Sequence, residues 1–257
     1  MKKSVNLYYD TTIHTKQKLN IIKQVGYDEF FTGINIDKET LNLNKQIKYA
    51  KKLGLKCSMI HCRYFDEDTD NFWLDNKFGK KIFKSYCRQI KKCKGKTNNF
   101  VVHLHGSINS VTSQVELLRV EKLLNICEKL NINLCVENLL STKEIPFIFK
   151  NIKHKNLKIC FDTGHKNFAT KNLEILRDFG DYVVVLHIHD NFGEQDEHLI
   201  CGKGNIDWDT FAKEVFKYNL TLCAEIKVKS QNNSNVLKDN FDALYNLEKK
   251  INTFKKI

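Results

Sequence analysis

LKICFDTGH, residues 157–165, sets a carboxylate and an imidazole three residues apart directly behind an apolar run. LKICF is β-rich and apolar on both faces, the character of a strand in a parallel sheet covered by helices on both sides. Asp162 then ends the strand. A turn at Thr163-Gly164 brings His165 back over the same end.

The pattern recurs along the chain. Short apolar runs predict eight strands: VNLYY (5–9), EFFTGI (29–34), LKCSMI (55–60), FVVHL (100–104), NLCVE (133–137), LKICF (157–161), YVVVLHI (182–188) and TLCAEI (221–226). Longer amphipathic stretches lie between them, with helix stops at Gly26, Gly54 and Gly95 and near Asn131. Eight strand–helix units in 257 residues match a closed (β/α)₈ barrel, and no Pro/Gly/Ser-rich linker divides residues 1–257 into more than one domain. A doubly wound open sheet is the alternative. It would leave two edge strands, and no GxGxxG loop follows the first strand to support a dinucleotide site.

Composition narrows the function classes. The 42% hydrophobic and 28% charged content is that of a soluble globular chain, and no apolar run reaches the roughly 20 residues that span a bilayer. The N-terminus lacks an apolar signal core, so the chain reads as cytoplasmic. Nine cysteines without a CxxC pair argue against a zinc ribbon or disulfide scaffold; Cys57, Cys135, Cys160 and Cys223 sit in strand-like runs, where a thiol acts as a small hydrophobe. The net charge of +12 is almost all lysine, with Arg only at 63, 88, 119 and 177. Lysine spread over helix faces explains this charge better than nucleic-acid readout, which favours Arg.

In a barrel, residues at the C-terminal strand ends share one mouth. Here they are His61 after the third strand, His103 and His105 after the fourth, Glu137 after the fifth, and Asp162 with His165 after the sixth. His187 and His189 end the seventh, Asp196 and His198 follow in its loop, and Glu225 ends the eighth. Clustered carboxylates repel, and buried charges need partners or cations. Imidazole and carboxylate oxygen together suit Zn²⁺ or Mn²⁺.

VVHLHGS, VENL, FDTGH, HIHDN…DEHL…GKGNIDW and CAEIK together resemble the xylose isomerase-like TIM barrels, the superfamily of sugar-phosphate isomerases and epimerases and of endonuclease-IV-type AP endonucleases. The resemblance spans about residues 55–227. It implies that one ion is held by Glu137, Asp162, His187 and Glu225, with both glutamates exchanging the proton beside a sugar carbonyl. The endonuclease branch uses nine ligands for three zinc ions, and its additional counterparts here are His61, His103, His165, Asp196 and His198. His103 is preferred to His105, and His187 to His189. An arginine that some ketose epimerases carry after strand seven is absent.

Two chemistries follow. The first is metal-dependent isomerisation or epimerisation of a sugar or sugar phosphate, with one to three ions, Glu137 and Glu225 as proton carriers and His165 on a substrate hydroxyl. His61, Lys203 and Trp208 are assigned to substrate, and Gly202-Lys203-Gly204 reads as a phosphate loop before a helix or equally as a plain turn. The second is zinc-dependent phosphoester hydrolysis, the only reading that brings in nucleic acid. Against it, the loop RYFDEDTDNFWLD (63–75) is acidic and reads as a lid or as packing around Phe72 and Trp73. A metal- or sugar-binding barrel without activity is a third reading. Membrane partners are not expected, and a homo-oligomer is compatible with the sequence.

Overall fold

Eight parallel strands follow one another around a single sheet, in the order β7-β6-β5-β4-β3-β2-β1-β8. They are β1 (Lys3–Asn6), β2 (Glu29–Gly33), β3 (Lys56–His61), β4 (Asn99–Val102), β5 (Asn133–Glu137), β6 (Leu157–Asp162), β7 (Val183–His187) and β8 (Leu222–Ala224). The computed structural model describes all residues except 11, 35–40, 108–111, 115–116, 229–232 and 256–257. The sheet closes on itself. Ile188 pairs with Ala224 across the β7–β8 seam, where Ile188 N donates to Cys223 O at 2.7 Å and Glu225 N to Ile188 O at 3.0 Å. This bridge overturns the open-sheet alternative, because it joins β7 and β8, the two strands that end the sheet order.

The outer helices are α1 (Thr15–Val25), α2 (Leu43–Lys52), α3 (Lys77–Cys93), α4 (Leu117–Leu130), α5 (Glu144–Asn151), α6 (Thr163–Phe168), α7 (Ile175–Phe179), α8 (Trp208–Val215) and α9 (Asn233–Phe254). The four stops read from sequence all lie in the left-handed region, with φ of 110° at Gly26, 73° at Gly54, 70° at Gly95 and 54° at Asn131. Asn42, Asn76 and Asp207 cap α2, α3 and α8 by accepting backbone N–H bonds. Residues 115–116, expected in the first turn of α4, lie outside the described residues.

Strand alternation sorts the core into two layers. Outward residues such as Phe30, Phe100, Leu134, Ile159 and Leu186 pack against the helices. Inward ones, Phe31, Met59, Val101, Cys135, Cys160, Val185 and Cys223, form an apolar plug inside the barrel. Each of six plug residues is followed two positions later by a chemically active one: Met59 by His61, Val101 by His103, Cys135 by Glu137, Cys160 by Asp162, Val185 by His187, and Cys223 by Glu225. The plug therefore forms the floor of a polar layer at the mouth. Cys135, Cys160 and Cys223 are buried in that floor, Cys57 is half-buried, and all four are free thiols.

The acidic loop is packing. Asp66–Trp73 forms a 3₁₀ turn in which Phe72 and Trp73 are buried, and Arg119 donates to the carbonyls of Phe72 and Leu74. No helix among the described residues is long and apolar enough to cross a membrane.

Candidate metal centre

Glu137 lies at the middle of the polar layer and meets four imidazoles. Its Oε2 is 3.1 Å from His61 Nε2 and 3.0 Å from His103 Nε2; its Oε1 is 3.0 Å from His187 Nδ1 and 3.5 Å from His165 Nδ1. His187 Nδ1 is also 3.0 Å from Glu225 Oε2 and 3.7 Å from Asp162 Oδ2. Glu137, Asp162, His187 and Glu225 thus each offer a ligand atom within 4.8 Å of the others, as do His61, Glu137 and His187. Glu137 belongs to both groups.

Local structure aims these side chains. Asp162 ends β6 and caps α6, with His165 N donating to its Oδ1 at 2.7 Å. Asn138 extends the β5–β6 ladder with its side chain, accepting from Asp162 N at 2.8 Å and donating to Asp162 O at 2.9 Å. Gly164 was expected to permit a sharp turn. Its role is instead spatial: it sits in the first turn of α6, and a Cβ there would meet His189 Cε1 at 1.9 Å.

Backbone carbonyls can only accept, and this fixes which nitrogen of two rings points outward. His61 donates Nδ1–H to Cys62 O at 2.9 Å, and His198 donates Nδ1–H to Glu225 O at 2.9 Å. Each therefore turns Nε2 toward the cluster, the orientation that ligating histidines take. His105 is excluded. Its Nε2 accepts from Leu140 N and Ser141 N at 3.0 and 2.9 Å while its Nδ1 holds Glu144, so neither nitrogen is free.

The cluster holds itself together with protons. Burial pulls His61 down, but its bonds to Cys62 and Glu137 outweigh this and lift it to about 10. Burial likewise opposes His165, which Asp162 and Glu137 raise to about 10. His187 stands well above the usual histidine value, since Cys160, Glu225 and Glu137 overcome burial. His103 goes the other way: burial dominates and lowers it to about 4, so it stays neutral. Burial raises the Glu137 and Glu225 carboxyls, yet the imidazoles facing them hold both well below the normal range. Asp196 is also lowered, with His198 overcoming burial.

These residues fit a divalent cation. The donor set is imidazole and carboxylate oxygen, and buried His165 Nδ1, His189 Nδ1 and Asp196 Oδ1 lack a hydrogen-bond partner among the described residues. An ionised carboxylate surrounded by protonated imidazoles is the cation-free state of such a centre.

Two of the substrate assignments, Trp208 and the loop before it, meet Asp190 in this structure. Trp208 is turned into the core, where its indole Nε1–H donates to Asp190 Oδ2 at 2.9 Å. The loop before it is occupied by the same carboxylate: Gly202 N and Ile206 N donate to Asp190 at 2.8 and 3.2 Å, so these N–H groups are not open to a phosphate. Lys203 is exposed on that loop. The loop is gathered around the buried Asp190 side chain.

Two residues near the cluster, Tyr8 and Tyr64, were not singled out from sequence, and a third, His189, was passed over. Tyr8 donates its hydroxyl to Glu225 Oε1 at 2.7 Å. Tyr64 packs its ring against His61 and His103, at centroid distances of 4.9 and 5.1 Å. His189, set aside in favour of His187, is fully buried with Nε2 3.1 Å from Asp162 Oδ2. Period-two alternation carries the signal for Tyr8 and His189, because Ser4, Asn6 and Tyr8 share a face, as do His187 and His189.

The chain belongs to the xylose isomerase-like TIM barrel family, whose model matches residues 19–247. An uncharacterized protein of Methanocaldococcus jannaschii is 27% identical over 255 residues, covering 92% of this chain and 96% of that protein. A solved L-ribulose 3-epimerase superposes with a TM-score of 0.80 at 14% identity, covering 100% of this chain and 96% of that one, a likeness of fold. A probable endonuclease 4 of Mycoplasma mobile is 33% identical over 86 residues, which is 28% of this chain and 31% of that protein.

Proposed function

We propose that this chain is a divalent-metal-dependent isomerase or epimerase of a sugar or sugar phosphate, moving a proton beside a carbonyl between Glu137 and Glu225. The observation that carries the reading is the convergence of Glu137, Asp162, His187 and Glu225 on one point of the barrel mouth. The family and the epimerase-like fold support it. Glu137, Asp162, His187 and Glu225 would hold Zn²⁺ or Mn²⁺, which when bound supplies positive charge opposite the carbonyl oxygen.

The side chains do the rest. Glu225 is held by Tyr8 on Oε1 and by His187 on Oε2, so its orientation is set before substrate arrives. Glu137 is held by four imidazoles, which keep it ionised and able to accept a proton. His165, at the start of α6, is poised to bond a substrate hydroxyl. The apolar floor below excludes water from the inner side of the site.

Solvent deuterium entering a panel of ketoses and aldoses tests the reading. Incorporation is expected with the wild type and lost in Glu137→Gln and Glu225→Gln; full exchange in either variant sinks the two-glutamate mechanism.

One observation favours a second reading, zinc-dependent phosphoester hydrolysis. Glu137 is shared between His61 and His103 on one side and His187 on the other, as a carboxylate bridging two ions would be. Nicking of an abasic duplex at low salt would establish it. The isomerase reading is preferred because the match to a probable endonuclease 4 spans only 28% of this chain.

A further inference from the structure

We propose that the outer wall formed by α1, α2 and α3 docks on an anionic lipid surface, with the start of α3 seated among the headgroups. The wall lies outside the metal centre, and surface attachment needs no spanning helix.

The positive charge of this chain is not spread evenly over its helices. α1, α2 and α3 follow one another around the barrel and carry 14 Lys or Arg residues with no Asp or Glu, whereas α4 to α9 carry 10 basic and 9 acidic residues. Of those 14, Lys18 is buried and the other 13 are exposed. The excess thus faces solvent on one side of the barrel, and the remaining helices are near neutral.

α3 concentrates it. Lys77, Lys81, Lys84, Arg88 and Lys91 follow at spacings of four and three, which makes a single exposed row about 21 Å long. Ile82, Tyr86, Gln89 and Ile90 are the buried side of the helix, so its packing does not use the row. Of the seven basic residues on α3, Lys80 alone has an ion pair among the described residues, with Asp75 at 2.7 Å. Like charges four residues apart, as at Lys77 and Lys81 or Lys84 and Arg88, weaken a helix. A row that costs stability and has no internal counter-charge calls for an external anion. A groove of about 550 Å³ beside it, lined by five of these basic side chains with Asp75 and Asn76, has room for phosphate headgroups.

Two features select lipid over nucleic acid. Thirteen of the 14 basic residues are lysine, a compact point charge suited to a diffuse negative surface, whereas nucleic-acid recognition favours the forked guanidinium. Leu74 and Phe78, on either side of the first residues of α3, are 47% and 58% exposed. Apolar side chains beside lysines fit the boundary between headgroups and acyl chains. A phosphate backbone offers them no such contact.

Vesicle sedimentation tests the proposal on the full chain. Binding is expected to vesicles of mixed phosphatidylserine and phosphatidylcholine, to weaken steeply with salt, and to be absent with phosphatidylcholine alone. Each basic residue near an anionic surface contributes roughly fivefold to partitioning, so Lys77→Gln, Lys81→Gln, Lys84→Gln and Arg88→Gln combined should weaken binding by roughly a hundredfold or more. The combination Lys150→Gln, Lys171→Gln, Lys213→Gln and Lys217→Gln, from the far side of the barrel, has the same net charge and should keep wild-type binding. Equal losses in the two combinations, or a wild type that ignores the mixed vesicles, overturns the proposal. Phe78→Ser should lower the affinity without changing its salt dependence; a wild-type affinity contradicts the seating of α3. Capture of a mixed-sequence oligonucleotide without vesicle binding assigns the wall to nucleic acid and refutes the lipid partner.

Discussion

Glu137 Oε1 and His187 Nδ1 meet at 3.0 Å across the barrel mouth, although 50 residues separate them in the chain. Both side chains are buried, 1% and 0% exposed, so the contact has almost no solvent screening. The proton between them is what a cation must displace.

Cation affinity should therefore rise with pH. His61 and His165 are raised to about 10, and each must lose its proton before a ligand atom is free. Apparent affinity should increase from pH 6.5 toward 10, with protons released on binding. Calorimetric titration in buffers of different ionisation enthalpy measures that release, and a buffer-independent heat would contradict it. The sign for the cation-free protein is opposite. A histidine raised above its unfolded value of about 6.5 stabilises fully below that pH, and the stabilisation is lost as pH rises through about 10.

Tyr8→Phe should remove the one hydroxyl bond to Glu225 and leave the barrel intact, since the ring remains edge-on to Phe31 at 5.9 Å. A charge-assisted hydrogen bond contributes about 1.5–3 kcal/mol, so exchange should slow by roughly ten- to a hundredfold. Unchanged turnover with unchanged thermal stability would remove Tyr8 from the mechanism.

Gly164→Ala should displace His189, because the new methyl would lie 1.9 Å from its Cε1. Overpacking of this kind costs about 1–3 kcal/mol. Urea unfolding should show that loss. Full stability would mean that the site relaxes around the methyl.

Asp190→Ala should be the most damaging of these changes. Its carboxylate accepts from Asn191 N, Gly202 N, Ile206 N and Trp208 Nε1, and all four donors lose a partner in the variant. Unpaired buried donors cost about 1–3 kcal/mol each, with partial relief from water at the exposed loop, so a loss of roughly 3–5 kcal/mol is expected. Denaturant midpoints decide it; a loss under about 1 kcal/mol would show that the 190–208 loop holds itself without this anchor.

Sequence alone determined the local grammar: eight apolar runs, four helix stops and a metal-ligand residue type at the end of six successive strands. These are legible because side-chain alternation and helix termination act over a few residues. Tertiary structure decided what depends on distant partners. His103 and His105 share a parity, but β4 ends at Val102, and beyond it Glu144 and the Leu140 and Ser141 amides turn His105 away from the mouth. Trp208 and the Gly202-Lys203-Gly204 loop read as a substrate site from sequence, whereas the bonds of Gly202 N, Ile206 N and Trp208 Nε1 to Asp190 appear only in the fold. Gly164 read as a turn, yet its missing side chain makes room for an imidazole 25 residues later. Closure itself rests on Ile188 meeting Ala224, a contact that no local pattern encodes.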